Sequence, residues 1–189
     1  RYQGGGSSHI NAYRVENAYE EAKKYAQISY VEGFSENQEK TEEQKLLEAV
    51  DAASESDAAV IFAGLSETME SEAYDREHMR LPECQNRLIE EVRKVQPNIV
   101  VVLQNGAPIE MPWADSVPAI LEAYLGGEAA GRAQAEILFG EKNPCAKLAE
   151  TFPMRVQDNP SWLDFGGNKD TVFYGEGIFV GYRYYDKKE

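Results

Sequence analysis

Two continuous apolar runs, at residues 58–65 and 98–103, limit how this chain can fold. Both are rich in β-branched residues, the first is closed by a glycine and the second leads into an Asn-Gly turn, which is typical of buried strands. Residues 83–95, between them, repeat apolar side chains at helical spacing. Strands that alternate with helices favour parallel pairing. We therefore predict an α/β fold, a three-layer sandwich with a mainly parallel, doubly wound sheet and helices on both faces.

Weaker patterns extend this alternation over the first 140 residues, which we expect to form the sheet-and-helix body of a single domain covering residues 1–189. Thr41 begins the sequence T-E-E-Q, a capping box with Thr41 as N-cap and Gln44 as the N3 residue. Residues 32–43 are acidic and are predicted to form a solvated loop. The further elements predicted from apolar spacing are helices at residues 15–25, after Thr41 and at residues 128–139, and strands at residues 27–31 and 119–125.

Each predicted helix has one apolar face. Its apolar side chains recur every three or four residues, so that they form a stripe that can pack on the sheet. The stripes that we expect to be buried are Leu46, Leu47, Val50 and Ala53 after Thr41, Leu88, Ile89, Val92 and Val95 in residues 83–95, and Ala130, Ala133, Ala135, Ile137 and Leu138 in residues 128–139.

The composition changes after Gly140. Residues 141–189 contain Asn-Pro and Phe-Pro turns, and an aromatic run occupies residues 173–185. We expect this part of the domain to be an irregular, proline-marked and aromatic arm. Aromatic side chains pack in cores and interfaces, and at the rim of a pocket they also form platforms for sugars. Both interpretations of the aromatic run stay open at this point.

The charge of the chain excludes two classes of partner. Its 189 residues carry a formal net charge of −14, whereas binding to nucleic acid or to an anionic membrane needs clustered Lys and Arg. A neutral ligand fits this composition better. No apolar run reaches the roughly 18 residues that a transmembrane helix needs. Cys84 and Cys145 lie far apart without C-x-x-C spacing, so we predict two reduced thiols in a cytoplasmic protein and no metal site.

An acidic loop, residues 66–82, follows directly on the first apolar run. In an open α/β sheet, ligands bind outside the carboxyl ends of the strands, so this loop is the candidate site. Its density of charge exceeds what a connecting loop needs, because it contains Glu67, Glu70, Glu72, Asp75 and Glu77 together with Arg76 and Arg80.

A second loop, residues 1–8, has the sequence R-Y-Q-G-G-G-S-S. It lacks the G-x-G-x-x-G and G-K-[ST] motifs of phosphate-binding loops, so nucleotide binding is not predicted. Three successive glycines instead favour a loop whose backbone approaches another segment closely.

Several motifs occur together in one order along residues 58–186. They are E-S-E-A-Y-D-R, H-M-R-L-P, V-V-V-L-Q-N-G-A-P-I-E-M-P-W, Y-L-G-G-E-A-A-G-R-A-Q-A-E-I-L-F-G-E-K-N-P-C-A-K-L, T-F-P, D-N-P and Y-G-E-G-I-F-V-G-Y-R-Y-Y-D. With these motifs in this order, the chain resembles the second domain of glycoside hydrolase family 3, the β-glucosidase family. The resemblance implies an α/β sandwich that follows a (β/α)₈ barrel, with the barrel and a fibronectin-like domain outside this sequence.

The resemblance also implies a retaining mechanism with two carboxyl groups about 5 to 5.5 Å apart. Matched to the family pattern S-G-E-G-Y-D-R, Glu72 is the general acid/base, and Glu70 takes the serine position. The nucleophile is implied to be an aspartate on the barrel and is not in this chain. We expect partial desolvation to raise the pKa of Glu72. Asp75 and Arg76 are expected to support the loop, either as an ion pair or as an anchor.

Ala73 stands where the family pattern has glycine, so a positive φ at this position would strain the loop. The resemblance implies a β-glucoside or oligosaccharide as substrate, the barrel of the same parent chain as partner, and no metal or organic cofactor. This chain alone is then expected to be inactive. The alternative is a non-catalytic carbohydrate-binding or structural α/β module, and the choice between glucose and xylose stays open.

Overall fold

A computed structural model describes residues 1–34 and 41–188. Three strands form one sheet in the order β1 (Ala59–Gly64), β2 (Ile99–Gln104) and β3 (Ala119–Glu122). Both pairs are parallel, so the predicted parallel sheet is confirmed. The central strand is covered on both faces, because Val101 and Val102 point to opposite faces of the sheet and are both 0% exposed. This burial explains why β2 is a continuous apolar run.

Helices pack beside the parallel sheet, and the predicted α/β class is confirmed. One pair, α2 and α3, packs against the main apolar core, which contains Ile61, Val101 and Leu103 of the sheet. The other pair, α1 and α4, packs together apart from that core. The bounds are α1 (Ala18–Ala22), α2 (Glu42–Ser54), α3 (Glu83–Val95), α4 (Ala130–Leu138) and α5 (Tyr182–Lys187).

The capping box at the start of α2 is confirmed. The Gln44 backbone N–H donates to Thr41 Oγ1 at 3.2 Å, and the Thr41 N–H donates to Gln44 Oε1 at 3.0 Å. These bonds satisfy two N–H groups that have no partner inside the helix. The start of α2 is therefore encoded locally, in four adjacent residues.

Several predicted details are wrong. Residues 27–31 do not form a strand, because Tyr30 packs against Tyr19 of α1, with ring centroids 5.7 Å apart, and the segment pairs with no strand among the described residues. The side chains of Leu47 and Val95 are 54% and 40% exposed, since each lies at the margin of its helix stripe. Ala133 is also exposed. Of the predicted loop at residues 32–43, residues 35–40 lie outside the described part of the chain.

The end of β1 is fixed by a side chain of α3. The buried Gln85 donates from Nε2 to Gly64 O at 3.0 Å and accepts from Gly64 N at 2.9 Å. The last residue of the strand is thus satisfied without a further strand partner on that side. Residues 66–82 leave the sheet from this point, beside the turn that follows β2. No helix within the described residues is long and apolar enough to cross a membrane.

Candidate active site

Glu70 anchors the acidic loop to the carboxyl edge of the sheet. Its Oε1 accepts from Arg1 Nη1 at 2.7 Å and from the backbone N–H of Gly106 at 2.6 Å. Both side chains of the Arg1–Glu70 pair are only 11% exposed. Arg1 also donates to the carbonyl oxygens of Leu65 and Ser66. The charge of Glu70 is paired and its Oε1 accepts two hydrogen bonds. These contacts fit a structural role for Glu70 better than the role of a proton donor.

Glu72 lies two residues further along and is exposed. Its Oε2 accepts from the backbone N–H of Ser7 at 2.9 Å and also from the Ser7 hydroxyl. Among the described residues no donor reaches Oε1. The structure therefore separates the two acids: one is buried in an ion pair, and the other presents an oxygen at the surface.

The pKa of Glu72 differs from the sequence-based expectation. The hydroxyl and then the backbone N–H of Ser7 lower the pKa of this carboxyl below its ordinary value. Hydrogen bonds that favour the charged form act in this direction, and the exposed side chain undergoes little of the desolvation that would oppose them. The expected rise in pKa is thus absent from this domain taken by itself.

Asp75 and Arg76 do not pair with each other. Asp75 is exposed and forms no ion pair within the described residues. Arg76 donates from Nη1 to Pro108 O at 3.0 Å, which links the acidic loop to the segment after β2. Burial lowers the pKa of the Arg76 guanidinium, and the nearby charges of Glu70 and Glu110 partly oppose this effect. The loop-support role of the two residues stays a prediction.

Glu122, at the end of β3, is a titratable group that the sequence did not bring out. Its Oε1 accepts from Tyr124 N at 2.8 Å, and its Oε2 accepts from Asn105 Nδ2 at 3.3 Å. Burial is the main reason why its pKa is raised to about 7, and the charges of Glu150 and Glu70 add to the effect. Glu122 lies inside an apolar run, so the sequence pattern indicates a strand residue there and not a titratable site.

Ser7 is the second residue that sequence reasoning missed. The available signal was the glycine-rich loop in which it lies, since that loop was predicted to bring its backbone close to another segment. No motif at residues 1–8 indicates which segment that is, because the contact joins residues that are 65 positions apart.

The aromatic arm contributes few side chains to the core. Phe173, Tyr174 and Tyr182 are exposed, so packing within the described residues does not account for the aromatic run. A shallow pocket of about 340 Å³ in the arm is lined by Phe152, Tyr184 and other residues. No cluster of three or more His, Cys, Asp or Glu side chains within the described residues could hold a metal ion. Cys84 and Cys145 are free thiols.

Comparison with known proteins identifies relatives of the whole chain. Residues 1–182 match the family model for the glycosyl hydrolase family 3 C-terminal domain. The Thermostable beta-glucosidase B of Acetivibrio thermocellus is 57% identical over 192 residues, which cover 100% of this chain and 25% of that protein. The Probable beta-glucosidase I of Emericella nidulans is 45% identical over 156 residues, covering 82% of this chain and 19% of that protein.

The solved structures that are similar to this chain are also of beta-glucosidases. The GH3 beta-glucosidase of Bifidobacterium adolescentis has a TM-score of 0.90 and 41% identity, covering 98% of this chain and 28% of that one. The beta-glucosidase of Kluyveromyces marxianus, solved in complex with glucose, has a TM-score of 0.75 and 42% identity, covering 78% of this chain and 18% of that one. This chain therefore spans about a quarter or less of the length of most of these relatives. With the family model matched over nearly all of its residues, the chain belongs to glycosyl hydrolase family 3, as the C-terminal domain of that family.

Proposed function

We propose that this chain is the part of a retaining β-glucosidase that supplies the general acid/base, Glu72, to an active site completed by a barrel domain of the same parent protein. The substrates are β-glucosides or oligosaccharides with a terminal non-reducing β-D-glucosyl residue. The barrel contributes the nucleophilic carboxylate. Support comes from the family and from the names of the relatives, which are beta-glucosidases.

The observation that carries the assignment is the contrast between Glu70 and Glu72. The carboxylate of Glu70 is held by Arg1 and Gly106 and is nearly buried. Glu72 is exposed at the carboxyl edge of the sheet, and its Oε1 has no donor among the described residues. A group that exchanges protons with a substrate must reach it directly, so the geometry favours Glu72.

Glu72 has two tasks in this mechanism. It first donates a proton to the leaving oxygen as the glycosidic bond breaks, and it then takes a proton from the water that releases the sugar from the nucleophile. The bonds from Ser7 favour the carboxylate, which is the form needed for the second task. Docking against the barrel would bury the exposed side chain and raise its pKa, which the first task requires.

The test is Glu72→Gln in the full-length parent enzyme. Hydrolysis of disaccharides should fall by about 10²- to 10⁴-fold, because their leaving group needs a proton. Aryl glucosides with an acidic leaving group should lose far less in the bond-breaking step. Steady-state kcat/KM on both substrate types measures the difference, and equal losses would contradict the assignment.

Two controls accompany this test. Glu70→Gln removes a carboxylate from the same loop, and we expect it to lower stability without the selectivity between substrates. The 189-residue chain alone should release no glucose, because a general acid without the opposing carboxylate cannot stabilise the oxocarbenium-like transition state. A parent protein whose turnover is unaffected by Glu72→Gln would favour the alternative of a non-catalytic carbohydrate-binding or structural module.

A further inference from the structure

The glycine-rich segment, residues 4–8, packs against the acidic loop at Glu72. A Cβ added to Gly6 would lie 2.7 Å from Glu72 Cβ, and one added to Gly5 would lie 3.2 Å from Ser71 Oγ. Gly6 also has a φ of +71°, which L side chains rarely adopt. The backbone of this segment can therefore approach the acidic loop closely only because these positions are glycine.

Ser7 uses this close approach to hold one oxygen of Glu72. Its backbone N–H and its hydroxyl both donate to Glu72 Oε2. Two donors on one oxygen restrict the rotation of the carboxyl group, and Oε1 then has no donor among the described residues. No charged side chain in the described part of the chain forms an ion pair with Glu72, so Ser7 is its main polar neighbour.

We propose that Ser7 is the positioning residue of Glu72, anchoring Oε2 and leaving Oε1 as the atom that gives and takes the proton. This inference rests on the proposed function of Glu72. In the first step the proton on Oε1 passes to the leaving oxygen as the glycosidic C–O bond breaks and the barrel's carboxylate bonds to the anomeric carbon. In the second step Oε1 accepts a proton from water while the water oxygen bonds to the anomeric carbon and the bond from that carbon to the barrel's carboxylate breaks. Ser7 bonds Oε2 in both steps and transfers no proton.

Substitutions of Ser7 should change the pKa of Glu72 in a direction that this positioning role predicts. Donors to the carboxylate favour its charged form, so loss of the hydroxyl should raise the pKa of Glu72. Ser7→Ala keeps the backbone N–H and should therefore remove only part of the effect. Ser7→Thr keeps both donors and should preserve the effect. Ser8→Ala is the matched control, because the Ser8 hydroxyl donates to Gly5 O in the same segment and does not contact Glu72.

The first experiment is an NMR titration of the Glu72 side-chain carboxyl carbon in this 189-residue chain. We expect a higher midpoint in Ser7→Ala than in the wild type, and wild-type midpoints in Ser7→Thr and Ser8→Ala. A second route is Gly6→Ala, which separates the two segments and should also raise the midpoint. Unchanged midpoints in both Ser7→Ala and Gly6→Ala would overturn the proposal.

The second experiment separates this inference from the proposed function. In the full-length enzyme the general acid must be protonated, so a higher pKa of Glu72 moves the alkaline limb of kcat/KM to higher pH. We expect that movement in Ser7→Ala and its reversal in Ser7→Thr. If the NMR midpoint rises while the alkaline limb of kcat/KM does not move, Glu72 is not the general acid. The proposal that Ser7 positions its proton-carrying oxygen is then also wrong. If the NMR midpoint rises in neither Ser7→Ala nor Gly6→Ala, the Ser7 inference fails whatever the role of Glu72.

Discussion

At the scale of single residues, the position after Glu72 carries backbone strain. Ala73 has a φ of 60°, one of three positive φ values at non-glycine residues in the described chain. The left-handed region costs an L-residue with a Cβ about 1 kcal/mol or more relative to glycine. The family pattern has glycine at this position, and the predicted conflict is therefore present. The strain lies beside the residue that Ser7 holds, so the loop conformation depends on contacts from another segment.

Ala73→Gly should stabilise the chain by about 0.5–1 kcal/mol, because relief of the left-handed strain outweighs the extra entropy of glycine in the unfolded state. Urea unfolding measures this as a higher midpoint with an unchanged m-value. Ala26→Gly is the control, since Ala26 is also exposed but does not have a positive φ. That variant should lose stability, and a similar gain in both variants would rule out strain at Ala73.

At the scale of elements, α1 and α4 approach each other closely at Gly131. A Cβ on Gly131 would overlap the carbonyl oxygen of Glu16 and lie 2.7 Å from Ala18 N. The same region is joined by the bond from Glu16 N to Glu128 O at 2.8 Å. The short helix α1, which has only five residues, is thus held by backbone contact with α4 rather than by a broad apolar stripe.

Gly131→Ala should destabilise the chain by about 1–3 kcal/mol, although alanine is the better helix former, because the added methyl group must displace backbone atoms. The free energy of unfolding in urea measures the loss. Ala133→Gly, on the exposed side of α4, measures the effect of helix propensity and should lower the free energy of unfolding by about 1 kcal/mol. A gain in stability from Gly131→Ala would show that α1 can move away from α4 freely.

At the scale of the whole molecule, the carboxyl edge of the sheet gathers acids from segments that are distant in sequence. Glu70 is neutralised there by Arg1, whereas Glu122 is half-buried between Tyr124 and Asn105 and forms no ion pair with any residue that the structure describes. The pKa of Glu122 is raised to about 7 from 4.5. A carboxyl whose pKa is higher in the folded state binds its proton more tightly there, and it stabilises the fold only while protonated.

The contribution of Glu122 to stability should therefore be complete below about pH 4.5 and lost as the pH rises through about 7. For a fully buried group this shift would correspond to about 3 kcal/mol, and solvent screening of a half-buried group reduces it to about 1–2 kcal/mol. Urea unfolding at pH 5 and pH 8 gives the free energy of unfolding of the wild type and of Glu122→Gln. The difference between the two proteins should change by this amount from one pH to the other. Glu90→Gln removes an exposed acid on α3 and should leave the pH dependence unchanged. A constant difference between wild type and Glu122→Gln would contradict the shift.

The elements that could be predicted are those encoded by local pattern. The bounds of α3 were predicted without error as residues 83–95, because its apolar spacing lies within one helix and Pro97 follows it. The capping box needs only Thr41 and Gln44. The strand predicted at residues 27–31 was wrong because strand formation also needs a partner, and Tyr30 lies against α1 instead. The predicted burial of Leu47 was wrong, because apolar spacing does not specify how wide the buried stripe of a helix is.

The sequence by itself determined the α/β class, the parallel pairing of its two apolar strands and the family, since apolar periodicity and ordered motifs can be recognised without coordinates. It also identified the loop that carries the candidate acid. The match to the family pattern selected Glu72 within that loop, but only the tertiary structure showed the different surroundings of the two acids, since Glu70 is bonded to Arg1 and Gly106 whereas Glu72 is bonded to Ser7. Two acids in one loop have nearly the same local sequence, so their difference lies in contacts with residues that folding brings near. Burial, charge pairing and hydrogen bonding set the pKa of a carboxyl, and all three are properties of the packed chain.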